Sequence, residues 1–482
     1  MQRKYEYFVN ATDVRTRYAV LLLTAAVLMA AAWLRGAEYD EQYTLFLTAG
    51  TARPDWPAAA FPAGMVARMQ AGQATLGGIA DALRATDVHP PLYFWAVSLW
   101  RWVFGPGLLA ARMLSVLCGV ISIGLVGRIA RRCGIRPAIA MLLTLGCYGF
   151  VYTNVVARGF AAAEVLTLSG VLLVFGRRPV LAGLCLGAAC ACNYLAVFVA
   201  AAVLAATGAW TAIAAAMPFL AMDAWFFAAQ HAARPGQFPP FAMGPSVLRL
   251  AGYQVAAMFG GLPLYLDGGW RIAAGVAVGL VAVTLYAWIA RARPWRDRAA
   301  IRVLLAAAIA PPVGLLLLGA VFDNTPIELR YLSFGLPFVA LLGAASLNNR
   351  GRRLLLIVFA TQAAGIAGLM LSPHTMQPAR IAATEAVRLA GGAVVLLPAG
   401  NDGVGIVGAF GIEAPETLPI LLIRPTDSIA DRVAPYRRVA LAVLPQDRDS
   451  TASIAAARAA LVAPNWRLVT IGSNLEVYER GG

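Results

Sequence analysis

The chain has 482 residues, of which 60% are hydrophobic and only 13% are charged, and its mean hydropathy is +0.70. A soluble domain could not bury so much apolar surface, so these values exclude a soluble protein and indicate a polytopic membrane protein. The formal net charge is +15, from 39 Lys and Arg residues against 24 Asp and Glu. Basic chains often bind nucleic acid, but no polar segment interleaves basic with aromatic residues. We therefore predict no nucleic-acid partner and assign the arginines to cytoplasmic loops in a lipid bilayer.

The cysteines lie in or beside apolar runs and leave the polar loops and the C-terminal tail without thiols. This distribution predicts neither a disulfide framework nor a cysteine-ligated metal site. No small-residue cleavage site follows the first apolar run, so this run is predicted to be a retained span. The six cysteines are Cys118, Cys133, Cys147, Cys185, Cys190 and Cys192.

The polar start, residues 1–17, is predicted to be cytoplasmic, and 18–34 is predicted to be the first span. A first external loop, 35–107, follows. Within it, Leu92–Phe104 is apolar but short, rich in Trp and interrupted by Arg101. Because about twenty apolar residues are needed to cross a bilayer, this stretch predicts an interfacial helix and not a span.

The remaining apolar segments, interrupted by a second external loop at 230–269, bring the prediction to about eleven transmembrane helices. With this count, the short loops that are rich in arginine all fall on the cytoplasmic side, as the positive-inside rule requires. If Leu92–Phe104 crossed as well, the loop with Arg131, Arg132 and Arg136 would lie outside. The predicted spans after the first are 108–129, 138–157, 160–175, two crossings within 180–206, 213–229, 270–290, 303–322, 332–346 and 354–371.

The tail, 373–482, has a different pattern from the membrane domain predicted at 1–372. Its apolar runs have the length of strands, at 393–397, 420–423, 439–444 and 468–471. Helical patterns at 380–389 and 451–461 lie between them. Short strands that alternate with helices predict a small α/β soluble domain, and an odd number of spans places this domain outside the membrane.

Three carboxylates, Glu38, Asp40 and Glu41, follow the first predicted span directly. Acidic groups at a membrane face are costly and are therefore candidates for function. On a helix, Asp40 and Glu41 would point about 100° apart, so one could face a cavity. Asp40 could serve as a general base, or it could cap a helix that begins near Glu41, and the two roles are compatible. We interpret Glu38 as a surface residue.

A second polar element is Asp87-Val88-His89-Pro90-Pro91, in which the two prolines fix the start of a helix. His89 could donate to a phosphate, or backbone groups at the turn could satisfy it. The chain has three histidines, and none forms a pair at the spacing of metal ligands. A metal site is therefore not predicted.

Arg158 and Arg330 are each predicted at the outer end of a span, where topology does not favour positive charge. The planar guanidinium group suits phosphate oxygens, so the pair predicts a site for an anionic lipid headgroup. The alternatives are snorkelling to the membrane surface or a salt bridge, from Arg158 to Glu164 and from Arg330 to Glu328.

Four polar or amphipathic residues interrupt apolar runs and are expected to line a cavity. Asp223 lies near the middle of a predicted span, and its alternative role is a satisfied hydrogen bond between helices. The four are Asn193, Tyr194, Asp223 and Trp225.

In this order, the motifs resemble the GT-C superfamily of glycosyltransferases, in its ArnT-like and protein-O-mannosyltransferase-like branch (glycosyltransferase family 39 type). The resemblance extends over about residues 15–372. Phe160 differs mildly from the family pattern, since many relatives have Tyr at this position. The resemblance rests on Asp40-Glu41 with Tyr43, on His89-Pro90-Pro91-Leu92-Tyr93, on Ala157-Arg158-Gly159-Phe160, and on Arg330-Tyr331 followed by Pro337.

The resemblance implies a GT-C fold and a sugar donor on undecaprenyl or another polyprenyl phosphate. It implies transfer to an envelope lipid, glycan or protein on the non-cytoplasmic face of the inner membrane. Asp40 would be the catalytic base, with Glu41 as its neighbour. No cofactor is required, although the acidic loop could recruit a divalent cation. The residues that would bind substrate are Tyr43, Asp87, His89, Tyr93, Arg158, Arg330 and Tyr331.

A transporter or flippase of a lipid-linked substrate is the alternative function. Such proteins often contain inverted repeats and discontinuous helices near the midplane of the membrane. We find no internal repeat, and the candidate polar groups gather at one predicted face. This arrangement favours chemistry at a surface over alternating access.

Overall fold

The computed structural model describes residues 2–230, 239–260, 266, 268–296, 298–347, 351–372, 377–462 and 465–481. The helices are α1 (Gln2–Leu34), α2 (Tyr39–Ala49), α3 (Gly64–Gln70), α4 (Leu76–Thr86), α5 (Leu92–Phe104), α6 (Leu108–Arg132), α7 (Pro137–Gly146), α8 (Tyr148–Thr153), α9 (Phe160–Phe175), α10 (Pro179–Cys192), α11 (Ala196–Thr207), α12 (Trp210–Gln230), α13 (Met243–Phe259), α14 (Gly268–Ala292), α15 (Ala299–Phe322), α16 (Leu336–Ser346), α17 (Arg352–Leu371), α18 (Ala379–Leu389), α19 (Gly405–Glu413), α20 (Ile429–Val433) and α21 (Arg448–Leu461). A 3-10 helix, Leu329–Gly335, precedes α16. The strands are β1 (Phe61–Pro62), β2 (Val394–Pro398), β3 (Pro419–Ile423), β4 (Arg438–Ala442), β5 (Trp466–Ile471) and β6 (Leu475–Arg480).

Within the described residues, seven helices are long and apolar enough to cross a membrane, and four shorter apolar helices, α7, α9, α10 and α11, coincide with predicted spans. The predicted class, a polytopic helical membrane protein with a small α/β domain, is confirmed. The number of about eleven crossings stays a prediction. The seven long segments are Arg15–Leu34, Leu108–Arg132, Trp210–Gln230, Gly268–Ala292, Ala299–Phe322, Leu329–Ser346 and Arg352–Leu371.

The span predicted at 138–157 is wrong as one helix, because the chain breaks between α7 and α8. Cys147 has an extended backbone, and its N–H bonds to the carbonyl of Thr144. The carbonyl of Leu143 thereby loses the partner that a continuous α-helix would give it. Gln362 of α17 donates to this carbonyl at 3.1 Å and so replaces the missing helical partner.

Helix α5 forms where the interfacial helix was predicted, but Arg101 is not a surface charge. Its side chain is 3% exposed and donates to the carbonyls of Leu45, Gln70 and Pro106, at 3.1, 2.6 and 2.8 Å. Buried arginine needs such acceptors. Arg101 thus ties α5 to α2 and to the end of α3.

The chain divides into two compact units. The first comprises residues up to Leu34, Leu83–Tyr93 and Arg112–Thr375, and the second comprises Arg35–Ala82, Phe94–Ala111 and the C-terminal residues from Met376. Most of the first external loop therefore folds with the tail. The domain boundary predicted at 372/373 stays a prediction, and 373–376 lie outside the described residues. The loop predicted at 230–269 is described only in part, since 231–238, 261–265 and 267 lie outside the described residues. Its described part contains α13.

In the first unit, α10 packs against α9 and α12 through small residues. The pattern Gly183-x-x-x-Gly187 allows backbones to approach closely, as small residues do in membrane helices. A Cβ atom at Gly183 would lie only 2.0 Å from the carbonyl oxygen of Ala212 in α12. The position therefore requires glycine, and this contact fixes the spacing of α10 and α12.

The second unit contains a six-stranded sheet in the order β1-β3-β2-β4-β6-β5. Strands β2, β3 and β4 are parallel, while β1 and the β5–β6 hairpin pair antiparallel. Helices cover both faces, since one apolar core includes Phe46 of α2 and Phe410 of α19, and the other includes Ile429 of α20 and Ile454 of α21. Burial on both faces explains why the parallel strands are short continuous apolar runs.

Candidate active site

Three predicted residues meet in the first unit. The Nδ1 atom of His89 lies 2.9 Å from Oδ1 of Asp87, and Nη2 of Arg158 lies 3.0 Å from Nε2 of His89. Asp87 and Arg158 are buried, at 4% and 6% exposure, while His89 is partly exposed. The structure thus brings an acid, an imidazole and a guanidinium into one chain of contacts.

Asp87 fixes one ring proton of His89. The carboxylate of Asp87 accepts, so Nδ1 of His89 carries a proton that it donates to Oδ1 of Asp87. Nη2 of Arg158 lies 3.0 Å from Nε2 and 3.3 Å from Nδ1, so the guanidinium packs against the imidazole ring. Asp87 thus orients the imidazole, and the ring in turn holds Arg158 in place.

Backbone contacts hold this group in place. Gln230, the last residue of α12, donates to the carbonyl of His89 at 2.9 Å and to that of Leu83 at 3.1 Å, and it accepts a hydrogen bond from Tyr194. At Gly159, a Cβ atom would lie 2.3 Å from the carbonyl oxygen of Cys192 and 3.3 Å from Cβ of Tyr93. Tyr93 is fully buried there. Glycine at 159 is what lets the backbone after Arg158 pass this close.

Arg330 and Tyr331 lie on the 3-10 helix, and the guanidinium of Arg330 is 5.5 Å from the ring centroid of Tyr331. The ring of Tyr331 stacks against that of Phe160 at 6.3 Å. Phe160 follows Arg158 by two positions, so this contact joins the chain segments that carry the two arginines.

The salt bridges considered as alternatives for the two arginines are not observed. Glu328 pairs with Arg249 at 3.7 Å. Burial raises the pKa of Glu328 above its ordinary value, and the charge of Arg249 offsets part of the rise. The carboxylate of Glu164 is buried, and its polar neighbour is Asn154 and not Arg158.

Beside His89 lies a cavity of about 410 Å³. Asn193, Tyr194 and Asp223 line it, as predicted. The prediction for Trp225 is wrong: its side chain is 56% exposed and stacks under the guanidinium of Arg84 at 4.2 Å. Tyr331 lines the cavity on another side.

The acidic cluster lies in the second unit, at the start of α2. Glu38, and not Asp40, is the residue that caps this helix, and its N–H donates to the carboxylate of Glu41 at 3.0 Å. Glu38 is also bound by Arg35 and is 4% exposed, so its interpretation as a surface residue is wrong. Asp40 is half-buried in the first turn of α2, where the amide dipoles stabilise negative charge.

Tyr43 lies one turn further along α2. Its hydroxyl donates to the carboxylate of Asp402 at 2.7 Å, and Arg53 lies 5.5 Å from its ring centroid. No three His, Cys, Asp or Glu side chains gather into a metal-binding group in the described parts of the chain.

No protein-family model matches the sequence, and a comparison with curated proteins finds no match. The fold, however, matches solved structures over nearly its whole length. A crystal structure of ArnT from Cupriavidus metallidurans in the apo state has a TM-score of 0.54 at 13% identity, covering 98% of each chain. The same protein bound to undecaprenyl phosphate has a TM-score of 0.51 at 11% identity, covering 96% of this chain and 97% of that one.

The chain has an ArnT-like fold. This confirms the fold that the motifs predicted and extends it beyond 15–372, because the match includes the C-terminal domain. At this identity the likeness concerns the fold.

Within the ArnT-like fold, the sequence did not predict the roles of two residues, Gln230 in the first unit and Glu38 in the second. Gln230 is a lone amide at the end of an apolar helix, and this position was the only signal of its role. The capping function of Glu38 was visible in its spacing, since a residue three positions before Glu41 can form a reciprocal cap.

Proposed function

We propose that this protein is a membrane glycosyltransferase that moves a sugar from a polyprenyl-phosphate carrier to an envelope acceptor. The observation that carries the proposal is the ArnT-like fold over nearly the full chain, since one of the matching structures holds undecaprenyl phosphate. The acceptor is a lipid, a glycan or a protein. The arginine-rich loops support an active site on the non-cytoplasmic face of the inner membrane.

Arg158 is the proposed phosphate ligand. Its guanidinium is buried and is held in place by the ring of His89, which Asp87 orients. An oriented cation of this kind stabilises the negative charge that develops on a leaving phosphate. Arg330 adds a second cation on the neighbouring segment, and Asp87, Tyr93 and Tyr331 complete the proposed donor site.

Asp40 is the proposed general base, with Glu41 and Tyr43 shaping its helix. A bond forms between the acceptor oxygen and the anomeric carbon while the bond from that carbon to the phosphate oxygen breaks. The acceptor proton moves to Asp40, and polyprenyl phosphate leaves. One base without a separate nucleophile gives inversion at the anomeric carbon. Transfer measured with and without EDTA tests whether the acidic loop recruits a divalent cation.

The test uses the full chain in liposomes with labelled polyprenyl-phosphate sugars and envelope extracts as acceptors. We expect sugar transfer by the wild type and a loss of about a hundredfold or more in Asp40→Asn. Undiminished transfer in Asp40→Asn rules out the base assignment. Movement of the intact lipid between leaflets without any transfer would favour the flippase.

A further inference from the structure

The cavity beside His89 contains a carboxylate that the proposed chemistry does not use. Asp223, on α12, lines this cavity together with Asn193 and Tyr194. The side chain is 6% exposed, and within the described residues neither of its carboxylate oxygens has a hydrogen-bond partner. A buried polar group without a partner is costly, so a ligand that donates to it would be bound favourably.

The lining offers Asp223 no charge to pair with. Its residues are mostly apolar, among them Phe198, Leu220 and Phe227, and the lining includes neither Arg nor Lys. The one basic group is His89, whose ring already contacts Asp87 and Arg158. The hydroxyl of Tyr194 donates to Gln230. A donor for Asp223 can therefore come from what enters the cavity.

We propose that this cavity receives the transferred sugar and that Asp223 accepts a hydrogen bond from a hydroxyl or amino group of that sugar. The inference rests on the proposed function. Asp223 would then be a residue that determines donor specificity.

The position of the cavity narrows the choice of occupant. His89 lines the cavity and contacts Arg158, the proposed phosphate ligand, so the cavity takes a group that is bonded to the phosphate. A sugar-phosphate lipid offers two such groups, the sugar and the first prenyl unit. A prenyl unit has no donor and would leave Asp223 unsatisfied, whereas a sugar has several donors. The rings of Tyr194, Phe227 and Tyr331 also provide aromatic faces for the C–H groups of a pyranose.

The experiment compares the binding of two lipids to the full-length protein in nanodiscs: a polyprenyl phosphate and the same lipid bearing a sugar. A panel of pentose, hexose and amino-sugar donors is used, with their single deoxy analogues. We expect the wild type to bind the preferred donor about tenfold to a hundredfold more tightly than the bare carrier. In Asp223→Asn and Asp223→Ser, this preference falls by about tenfold or more, while binding of the bare carrier is unchanged.

Glu164→Gln is the matched control, because Glu164 is another buried carboxylate of the first unit and it does not line the cavity. This variant should keep the preference. The deoxy analogue that lacks the contacting group should bind the wild type as weakly as the parent donor binds Asp223→Asn.

The outcomes separate this inference from the proposed function. Equal preference for the donor in wild type and Asp223→Asn overturns the inference even if transfer is observed. A wild type with no preference for any sugar-bearing lipid overturns it as well. A preference that depends on Asp223 without any transfer supports the inference and counts against the glycosyltransferase. Thermal unfolding of each variant confirms that it is folded.

Discussion

At the residue scale, the state of His89 depends on Asp87. An asparagine at 87 can accept or donate, so it no longer confines the ring proton to Nδ1. The hydrogen bond that fixes the ring against the guanidinium of Arg158 is then weaker, because its acceptor is no longer charged. We therefore expect Asp87→Asn to raise KM for the lipid donor by about tenfold with a smaller effect on kcat.

Steady-state kinetics of the full chain test this positioning role. Adding Asp87→Asn to His89→Ala should cost nothing further, because Asp87 acts through the ring. Asp81→Asn changes an exposed aspartate on α4 and should leave KM unaltered. A double variant that is clearly worse than His89→Ala would mean that Asp87 acts without His89.

The second prediction at this scale concerns pH. Glu476 on β6 accepts hydrogen bonds from Arg458 and Tyr478, and the bond from Arg458 is the first cause of its lowered pKa. A lowered pKa in the folded state stabilises the fold above the unfolded pKa, and this contribution is lost as pH falls through the folded value. Because Arg458 is exposed and water screens its charge, the effect is at most about 1 kcal/mol.

Thermal unfolding of wild type and Glu476→Gln at pH 7 and at successively lower pH measures this contribution. We expect the variant to be less stable at pH 7 and the difference to shrink in acid. A difference that grows as pH falls would contradict the assignment.

The sequence predicted the chemical roles of single residues but not their contacts with distant parts of the chain. The roles considered for His89 and Arg158 followed from residue type and position, and the structure adds their contact. The interpretation of Glu38 failed because burial by the tail depends on contacts such as that between Ala37 and Glu413, which are far apart in the chain. The lack of a donor for the buried carboxylate of Asp223 could not be predicted, since a helix with one Asp has the same pattern whether or not the carboxylate finds a donor.

At the element scale, α10 and α12 approach through glycine. We expect Gly183→Ala to lower the midpoint of thermal unfolding, because a Cβ atom would lie 2.0 Å from the backbone of Ala212, and overpacking of this kind costs about 1–3 kcal/mol. The cavity between these helices would be displaced with them, so donor binding should weaken too. Unfolding and lipid-binding measurements test both effects.

Gly279→Ala in α14 is the control, since no described atom outside its own helix backbone lies within 4 Å of a Cβ at that position. It should be neutral or slightly stabilising, because alanine favours helix over glycine. Equal behaviour of the two variants would show that the approach of α10 to α12 does not depend on Gly183.

Most elements were predictable because apolar length and turn residues are local signals. The break at Cys147 was not, since it depends on Gln362 supplying a donor from a helix more than two hundred residues away. Strand β6 was missed because its residues alternate between apolar and polar, and only continuous runs were counted. Helix α19 was missed because its glycines are typical of loops.

At the scale of the whole molecule, the arginine distribution and the motif order predicted an ArnT-like membrane fold, which the structural match confirms. The chain segments that make up the second unit could not be predicted. Strand β1 in the first loop pairs with β3 in the tail, Phe61 opposite Ile420, and two residues are too few to be recognised as a strand. Pairing across so long a separation leaves no local pattern in the sequence.

The central claim is transfer of a sugar from a polyprenyl phosphate, and counting both products of one reaction tests it most directly. The full chain is incubated with a doubly labelled donor, one label in the sugar and one in the lipid, and an envelope acceptor. We predict one molecule of bare polyprenyl phosphate for each sugar transferred, with both products strongly reduced in Arg158→Ala. If the wild type leaves the donor intact, or releases the lipid without a glycosylated product, the account is contradicted.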